Sequence, residues 1–308
     1  MHKIMMGLLL SCWLLSGCSQ ESAWQSRNFE QEPEVSLYLS ESGEVKTLRM
    51  EEYLAGVVAA EMNPDWPQEA LEAQAILART FAAEVIASGR VRDLHGTDLS
   101  DSVEECQAYD PSRINEAVLA AVEETRGQVL TWQGEYPKAW FSACDGGISA
   151  SALEGLNYQD SPTPYLKVGV QDGCLNIAGA EEQGWQVQIP VAEVEQAVSE
   201  LSGIEPGTIV SGAIGKTGES GRAMTVVLNG LELSAADLRL ALGSTRVRST
   251  LWTSFAVKVG YLWIAGRGYG HGVGMCQWGA KLLAENNYTA NEIINFYFQD
   301  TELVSLWP

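Results

Sequence analysis

The chain has 308 residues, 46% of them hydrophobic, which is long enough for one large core or for two lobes. Its formal net charge of −21 leaves no basic stripe that could neutralise phosphates. This composition excludes nucleic-acid binding and electrostatic docking to anionic lipid headgroups as main functions.

The N-terminus has the features of a targeting segment. Lys3 precedes an apolar run over residues 4–15, which is too short to span a bilayer as a helix. The run ends in Leu-Ser-Gly-Cys, which resembles a bacterial lipoprotein signal. That resemblance implies cleavage after Gly17, lipidation of Cys18 and anchoring at the outer face of the bacterial cytoplasmic membrane. The alternative is an ordinary secretory peptide, residues 1–17, in which Cys18 is incidental.

The next segments predict a tether, a strand and two helices. Residues 18–34 are rich in Ser, Glu and Gln and favour a flexible tether. Weak alternation predicts a strand over 35–39, at the start of a domain that continues to residue 308. Helical spacing predicts helices over 50–62 and 68–88, because two prolines between them interrupt the pattern.

Glu61 is the unusual residue of the first helix. The apolar face of this helix runs through Leu54, Val57 and Val58, and the next position at helical spacing is Glu61. A carboxyl group among apolar side chains loses hydration, so its pKa rises and it can donate a proton near neutral pH. The alternative is that Glu61 lies at the boundary of the apolar stripe and reaches solvent.

The remaining elements predict an α+β fold with a main lobe and a smaller inserted α/β lobe. The block at 176–250 is interpreted as the insertion, because it has a uniform alternation of strands and helices with a hairpin turn at Asn229-Gly230. The predicted elements after residue 100 are a helix at 112–125, neighbouring strands at 128–132 and 138–144 joined by a Gly134 turn, a strand at 185–189, a helix at 192–201, a strand at 223–228, a helix at 234–242, a hairpin at 255–265 and a helix at 275–285.

A glycine-rich loop at 266–274 lies between that hairpin and the last of these helices. It has neither the lysine of a phosphate-binding loop nor the Gly-x-Gly-x-x-Gly spacing, so a nucleotide site is rejected. Five glycines around His271 instead favour close approach of the backbone to a ligand or to another chain segment. Taken in isolation, a histidine such as His271 is more often a hydrogen-bonded structural residue.

Four cysteines remain after the targeting segment and Cys18 are set aside: Cys106, Cys144, Cys174 and Cys276. They can form up to two disulfides or remain small buried hydrophobic residues. No Cys-x-x-Cys motif is present, which disfavours a redox site or an ordinary zinc finger.

Several motifs in a fixed order resemble the SpoIID/LytB family of stage II sporulation proteins. The resemblance extends from about residue 35 to the C-terminus. It is carried by the segments 53–62, 69–80, Cys-Gln-Ala-Tyr at 106–109, Phe-Ser-Ala-Cys-Asp-Gly-Gly at 141–147 and the glycine loop at 268–280.

The resemblance implies a lytic transglycosylase that acts on peptidoglycan glycan strands already stripped of stem peptides. It implies that Glu61 is the catalytic acid and that the product carries a 1,6-anhydro end. It also makes Gln74, Arg79, Ser142, Tyr165, His271 and Gln277 candidates for binding the sugar or for holding the Glu61 helix.

Zinc and a partner protein are the other expectations from the resemblance. Some family members carry a His/Cys cluster before the Cys-Gln-x-Tyr motif, but here only Cys106 and His95, with Glu105, are available, so no cofactor is expected. Disulfides joining Cys144 to Cys276 or to Cys106 stay open. The rival function is a non-catalytic wall-binding module that enhances a partner amidase.

Overall fold

The computed structural model describes Trp24 and residues 29–308. The predicted signal peptide and the predicted lipidation site, Cys18, lie outside the described residues. No helix within the described part of the chain is long and apolar enough to cross a membrane.

The described part of the predicted tether packs against the domain. Trp24 is buried, and its ring contacts those of Phe29 and Trp307 with centroids 4.7 and 6.2 Å apart. Glu32 accepts a hydrogen bond of 2.9 Å from the backbone N–H of Glu51. The segment before β1 therefore follows the protein surface at these points, where the sequence favoured a free linker.

The described residues contain ten α-helices. They are α1 (Met50–Glu61), α2 (Gln68–Ser88), α3 (Arg90–His95), α4 (Glu116–Glu124), α5 (Ala152–Leu156), α6 (Ala180–Gln183), α7 (Val191–Ser202), α8 (Ala235–Ala241), α9 (Gln277–Glu285) and α10 (Ala290–Tyr297).

The described strands form five small sheets, with the orders β2-β1-β3, β4-β13, β5-β12, β6-β11-β10 and β7-β8-β9. The strands are β1 (Glu34–Tyr38), β2 (Val45–Arg49), β3 (Leu99–Ser100), β4 (Gln128–Thr131), β5 (Phe141–Ser142), β6 (Trp185–Pro190), β7 (Gly212–Ile214), β8 (Thr225–Leu228), β9 (Leu231–Ser234), β10 (Trp252–Lys258), β11 (Tyr261–Gly266), β12 (Met275–Cys276) and β13 (Glu302–Ser305).

The mixed α+β class is confirmed, and the buried hydrophobic residues form two clusters. The first cluster combines residues 24–178 with residues 273–307. The second runs from Ile189 to Ile264 and contains β6, α7, β8, α8 and the β10–β11 hairpin. This second cluster extends beyond residue 250, the predicted limit of the insertion, because β11 pairs with β6 over six residue pairs.

Helix α2 forms the centre of the first cluster. Its Ala70, Ala73, Ala78 and Ala82 are fully buried, and such small side chains allow neighbouring elements to approach closely. The helix ends at Gly89, whose positive φ of 72° closes the last turn in the left-handed conformation. Helix α1 packs against α2 and ends just before Pro64, which disfavours helical backbone in the residue before it.

The predicted pairing of strands 128–132 and 138–144 is wrong. Strand β4 pairs instead with the C-terminal β13, and β5 is only two residues long and runs parallel to β12. A turn at Gly134 is present, but the bridge that it closes joins only Trp132 and Glu135. The β5–β12 pairing brings the segment after residue 140 beside the start of α9, which positions the groove described next.

Candidate active site

Glu61 is the last residue of α1 and lies at the wall of an open groove of about 380 Å³. The groove lies on the first hydrophobic cluster, beside α2 and the β5–β12 pair. Its lining residues are Glu61, Phe81, Arg90, Val103, Glu104, Glu105, Cys106, Gln107, Lys138, Trp140, Phe141, Leu156 and His271.

The Glu61 carboxyl group is partly buried and held by two hydrogen bonds. Its Oε1 accepts from the backbone N–H of Ala108 at 2.9 Å, and its Oε2 accepts from Nε2 of Gln277 at 3.5 Å. Loss of hydration raises the pKa of Glu61, and the hydrogen bonds from Ala108 and Gln277 lower it by less. The carboxyl group is therefore poised to hold a proton at a higher pH than an ordinary glutamate.

Gln74 and Gln277 form a buried chain behind the carboxyl group. Nε2 of Gln277 also contacts Oε1 of Gln74 at 3.3 Å, and neither side chain is open to solvent. Nε2 of Gln74 is buried without a hydrogen-bond partner among the described residues. The two amides orient Glu61 from α2 and α9, and the unpartnered Gln74 amide is a free donor beside the site.

His271 lines the groove, where its ring is fixed and neutral. Its Nδ1 accepts a hydrogen bond from the backbone N–H of Val273 at 3.0 Å. The single N–H proton of the neutral ring is therefore on Nε2. Burial, with the nearby guanidinium groups of Arg239 and Arg222, lowers the pKa of His271 to about 3. His271 is thus a hydrogen-bonding group at neutral pH and not an acid.

Ser142 and Tyr165 form hydrogen bonds to the backbone of segments that line the groove. Oγ of Ser142 accepts from the backbone N–H of Gly272 at 3.2 Å, so it holds the loop that carries His271. The hydroxyl of Tyr165 accepts from the backbone N–H of Lys138 at 2.9 Å, and burial raises the pKa of Tyr165 to about 12. Both side chains are nearly closed to solvent, so their contribution is to position the groove wall.

Arg79 lies inside the protein. Its side chain has no exposed surface and forms a two-point ion pair with Glu51, with N···O distances of 3.2 and 2.6 Å. It also donates to the carbonyl of Gln128 at 2.9 Å. Direct contact with sugar, which the resemblance made one option for Arg79, is not available to it; it holds α1 against α2 and β4 instead.

The groove contains cations and aromatic rings that the sequence analysis did not select. Arg90 and Lys138 line it, and both contact the carboxylate of Glu84 at 2.5 Å. Trp140 and Phe141 form part of the wall. Lys138, Trp140 and Phe141 lie in the predicted strand 138–144, of which only Phe141 and Ser142 form β5, so the predicted strand did not show which side chains face the groove. Arg90 lies in α3, which is too short for helical spacing to mark a face.

The residues weighed for zinc do not come together as a ligand set. Nε2 of His95 hydrogen-bonds to both carboxylate oxygens of Glu105 at 2.9 Å, and its ring stacks on Tyr38. Within Trp24 and residues 29–308, neither His95 nor Cys106 belongs to a group of three or more metal-binding side chains. Burial raises the pKa of the Cys106 thiol to about 11, which favours the neutral thiol.

The candidate disulfides are not formed. The four described cysteines are free and buried, which corresponds to the alternative of small apolar residues. Cys144 lies closest to Cys174, with their sulfur atoms 3.4 Å apart.

Comparison with known proteins gives the family. A family model described as Stage II sporulation protein matches residues 38–132. An uncharacterised protein of Brachyspira hyodysenteriae is 32% identical over 261 residues, which are 84% of this chain and 68% of that protein. Stage II sporulation protein D of Bacillus subtilis is 28% identical over 295 residues, 87% of this chain and 78% of that protein.

A further relative is named for a different role. The amidase enhancer of Bacillus subtilis is 26% identical over 305 residues, 82% of this chain and 40% of that protein. Together with the motifs and the groove, these similarities show that the chain belongs to the SpoIID family, and the predicted family is confirmed.

Proposed function

We propose that this protein is a lytic transglycosylase that remodels the cell wall during sporulation. It cleaves peptidoglycan strands without stem peptides, between N-acetylmuramic acid and N-acetylglucosamine. The observation that carries the proposal is the Glu61 carboxyl group, which faces a groove, has a raised pKa and is held by Ala108 and Gln277. Relatives named for stage II sporulation support the setting.

In the proposed reaction one carboxyl group acts twice. Protonated Glu61 donates its proton to the glycosidic oxygen, and the bond from the anomeric carbon to that oxygen breaks with oxocarbenium-like charge on the muramic sugar. The 6-hydroxyl of the same sugar then bonds to the anomeric carbon and gives its proton to the Glu61 carboxylate. Glu61 is restored, one strand ends in a 1,6-anhydro ring, and no water is consumed.

The groove has groups suited to this substrate. Arg90 and Lys138 line the groove, where both are paired with Glu84, and their remaining N–H groups can donate to the lactyl carboxylates that stripped strands carry. Trp140 and Phe141 offer apolar rings to sugar faces. The neutral His271 offers a hydrogen bond without adding charge.

The test is product analysis on stripped glycan strands. We expect fragments lighter by one water than hydrolysis products, and we expect Glu61→Gln to lower the rate at least about 100-fold because general acid catalysis is lost. Glu52→Gln is the matched control, since Glu52 is an exposed acid on the same helix. Hydrated ends would instead indicate a glycosidase that uses Glu104 or Glu105 as a second carboxylate.

A second candidate follows from the similarity to the amidase enhancer: a module that binds the wall and accelerates a partner amidase. In that case the protein alone yields no glycan fragments, while it accelerates removal of stem peptides by an added amidase. Glu61→Gln would then leave the acceleration intact.

We also propose that the protein is exported and held at the membrane by lipid on Cys18. Mass spectrometry of the N-terminal peptide from membranes of the producing cell tests this. A Cys18→Ser variant that remains equally membrane-bound would contradict it.

A further inference from the structure

A cluster of three cysteines and two aspartates lies behind the groove. Cys144 follows β5, Cys174 begins a short 3₁₀ turn at Cys174–Asn176, and Cys276 ends β12. The side chains of all three cysteines are fully buried, and their sulfur atoms lie within 4.8 Å of one another. Asp145 and Asp172 place carboxylate oxygens within the same distance of the Cys174 and Cys276 sulfurs.

The spacing of the sulfur atoms suits a shared cation. The sulfurs of Cys144 and Cys174 are 3.4 Å apart. Two thiolates on a tetrahedral zinc, each about 2.3 Å from the metal, are separated by about 3.8 Å. A disulfide would need about 2.05 Å. Three converging thiols are also one too many for a disulfide, which would leave the third buried beside it.

One carboxylate oxygen of the cluster has no partner. Oδ1 of Asp145 accepts from the backbone N–H of Gly147 at 2.8 Å and from the Cys174 thiol at 3.2 Å, but its Oδ2 is buried without a partner among the described residues. Both oxygens of Asp172 are used, by the N–H of Cys174 and by the hydroxyl of Tyr297. A buried oxygen without a partner is costly, so it points to a missing ligand.

Neighbouring groups suit anionic sulfur. The sulfur of Cys276 accepts from the backbone N–H groups of Asp145 and Gly279, at 3.4 and 3.3 Å. The guanidinium of Arg222 is fully buried beside the cluster and donates to the carbonyl oxygens of Asp145 and Ile148. Three thiolates and one carboxylate around a divalent cation carry a net charge of −2, which this arginine partly offsets.

We propose that Cys144, Cys174 and Cys276, with the carboxylate of Asp145, bind one zinc ion that fixes the back of the groove. Cys276 immediately precedes Gln277, whose amide contacts Glu61, and Cys144 lies two residues after Ser142, which holds the His271 loop. The ion therefore joins the two segments that orient Glu61 and His271. The proposal does not depend on the cleavage reaction, because it is tested by metal content.

The test uses the full chain, purified under reducing conditions through a tag without histidines. Elemental mass spectrometry measures its metal content, and visible absorption is recorded after exchange with Co²⁺. We expect about one zinc per chain, and for the cobalt form an intense sulfur-to-metal absorption with the visible bands of a tetrahedral site. A chain without bound zinc and without cobalt absorption overturns the proposal. A Cys144–Cys174 disulfide in protein isolated from the producing cell also overturns it.

Variants identify the ligands. We expect Cys174→Ser and Cys276→Ser to weaken zinc binding at least 10-fold, and Asp145→Asn to shift the cobalt spectrum and weaken binding. Cys106→Ser and Asp172→Asn are the matched controls, a buried cysteine outside the cluster and the aspartate whose oxygens are both used. Loss of zinc in Asp172→Asn, with retention in Asp145→Asn, would contradict the assigned ligand set.

Discussion

At the scale of single residues, the proposed chemistry depends on the pKa of Glu61, which loss of hydration and hydrogen bonding shift in opposite directions. Helix α1 places the carboxyl group at its C-terminal end, where the chain turns away and the groove begins. Burial raises the pKa, whereas the bonds from Ala108 and Gln277 stabilise the carboxylate that forms after proton transfer. The site thus supports both protonation states that the proposed reaction needs.

The raised pKa of Glu61 predicts a pH-dependent stability difference between the wild type and Glu61→Gln. In the folded state the proton is held more tightly than in the unfolded state, so the contribution of Glu61 to stability is greatest below the ordinary glutamate pKa. It is lost as the pH rises through the raised pKa. Thermal midpoints of both proteins, measured across that range, should show the wild type losing stability relative to Glu61→Gln; a flat difference would contradict this.

The buried ion pair between Arg79 and Glu51 predicts that replacing Arg79 lowers stability strongly, without a direct effect on glycan binding. Glu51 accepts from Arg79, from the backbone N–H of Gly127 and from the Trp307 indole, so Arg79→Gln leaves a buried carboxylate without its cation. We expect a loss of about 3–5 kcal/mol in the free energy of unfolding.

Denaturant unfolding measures the effect of Arg79→Gln. Arg246→Gln is the control, because the Arg246–Glu193 pair is exposed by 44% and 50% and contributes about 0–1 kcal/mol. A loss of glycan binding by the folded Arg79→Gln protein would show that the arginine has a direct role.

At the scale of elements, the ring of Tyr109 packs directly against the backbone of α1 at Gly56, where there is no room for a side chain. A Cβ on Gly56 would lie 2.2 Å from Cε2 of Tyr109, whose ring stacks on Tyr53. We expect Gly56→Ala to displace Tyr109 or α1 and to cost about 1–3 kcal/mol despite the higher helix propensity of alanine. Unfolding of Gly56→Ala and of Gly184→Ala, where a Cβ meets nothing within 4 Å, provides the comparison.

The sequence predicted elements with strong local signals and missed those made by distant pairing. Helix α2 was predicted at its observed bounds because its helical spacing runs from Pro67 to Gly89. The Asn229-Gly230 hairpin was also correct, since both residues adopt positive φ as its turn requires. The partners of β4 and β5 lie more than 130 residues away, and no local pattern encodes such pairing.

The candidate site likewise contains some residues that the sequence predicted and others that only the structure shows. Glu61 was recognisable as a carboxyl group on an apolar helix face, and Gln277 and His271 came from the motifs. The groove cations Arg90 and Lys138 were missed because only folding brings them together on Glu84. The resemblance had raised a pairing of Cys144 with Cys276, but the sequence did not place Cys174 beside them, since the three cysteines lie 30 and 102 residues apart along the chain.

At the scale of the whole molecule, a formal charge of −21 acts against an anionic substrate, and the groove does not reverse this, because Arg90 and Lys138 are paired with Glu84 and lie beside Glu104 and Glu105. Salt weakens the repulsion, because the screening length is about 30 Å at 0.01 M and about 8 Å at 0.15 M. At low salt an approaching strand meets the repulsion of the entire surface. At intermediate salt much of that repulsion is removed, and the strand can reach the N–H donors of Arg90 and Lys138 in the groove.

Association of stripped glycan with the protein should therefore become faster as salt rises and then level off. We expect the association rate to increase by about tenfold between 0.01 and 0.15 M, and to change little toward 1 M, where the screening length is about 3 Å and little repulsion remains. Stopped-flow binding to Glu61→Gln measures this without turnover. Neutral N-acetylglucosamine oligomers should show little dependence on salt; a steady fall for stripped strands from the lowest salt upward would mean that the groove cations outweigh the surface charge at every distance.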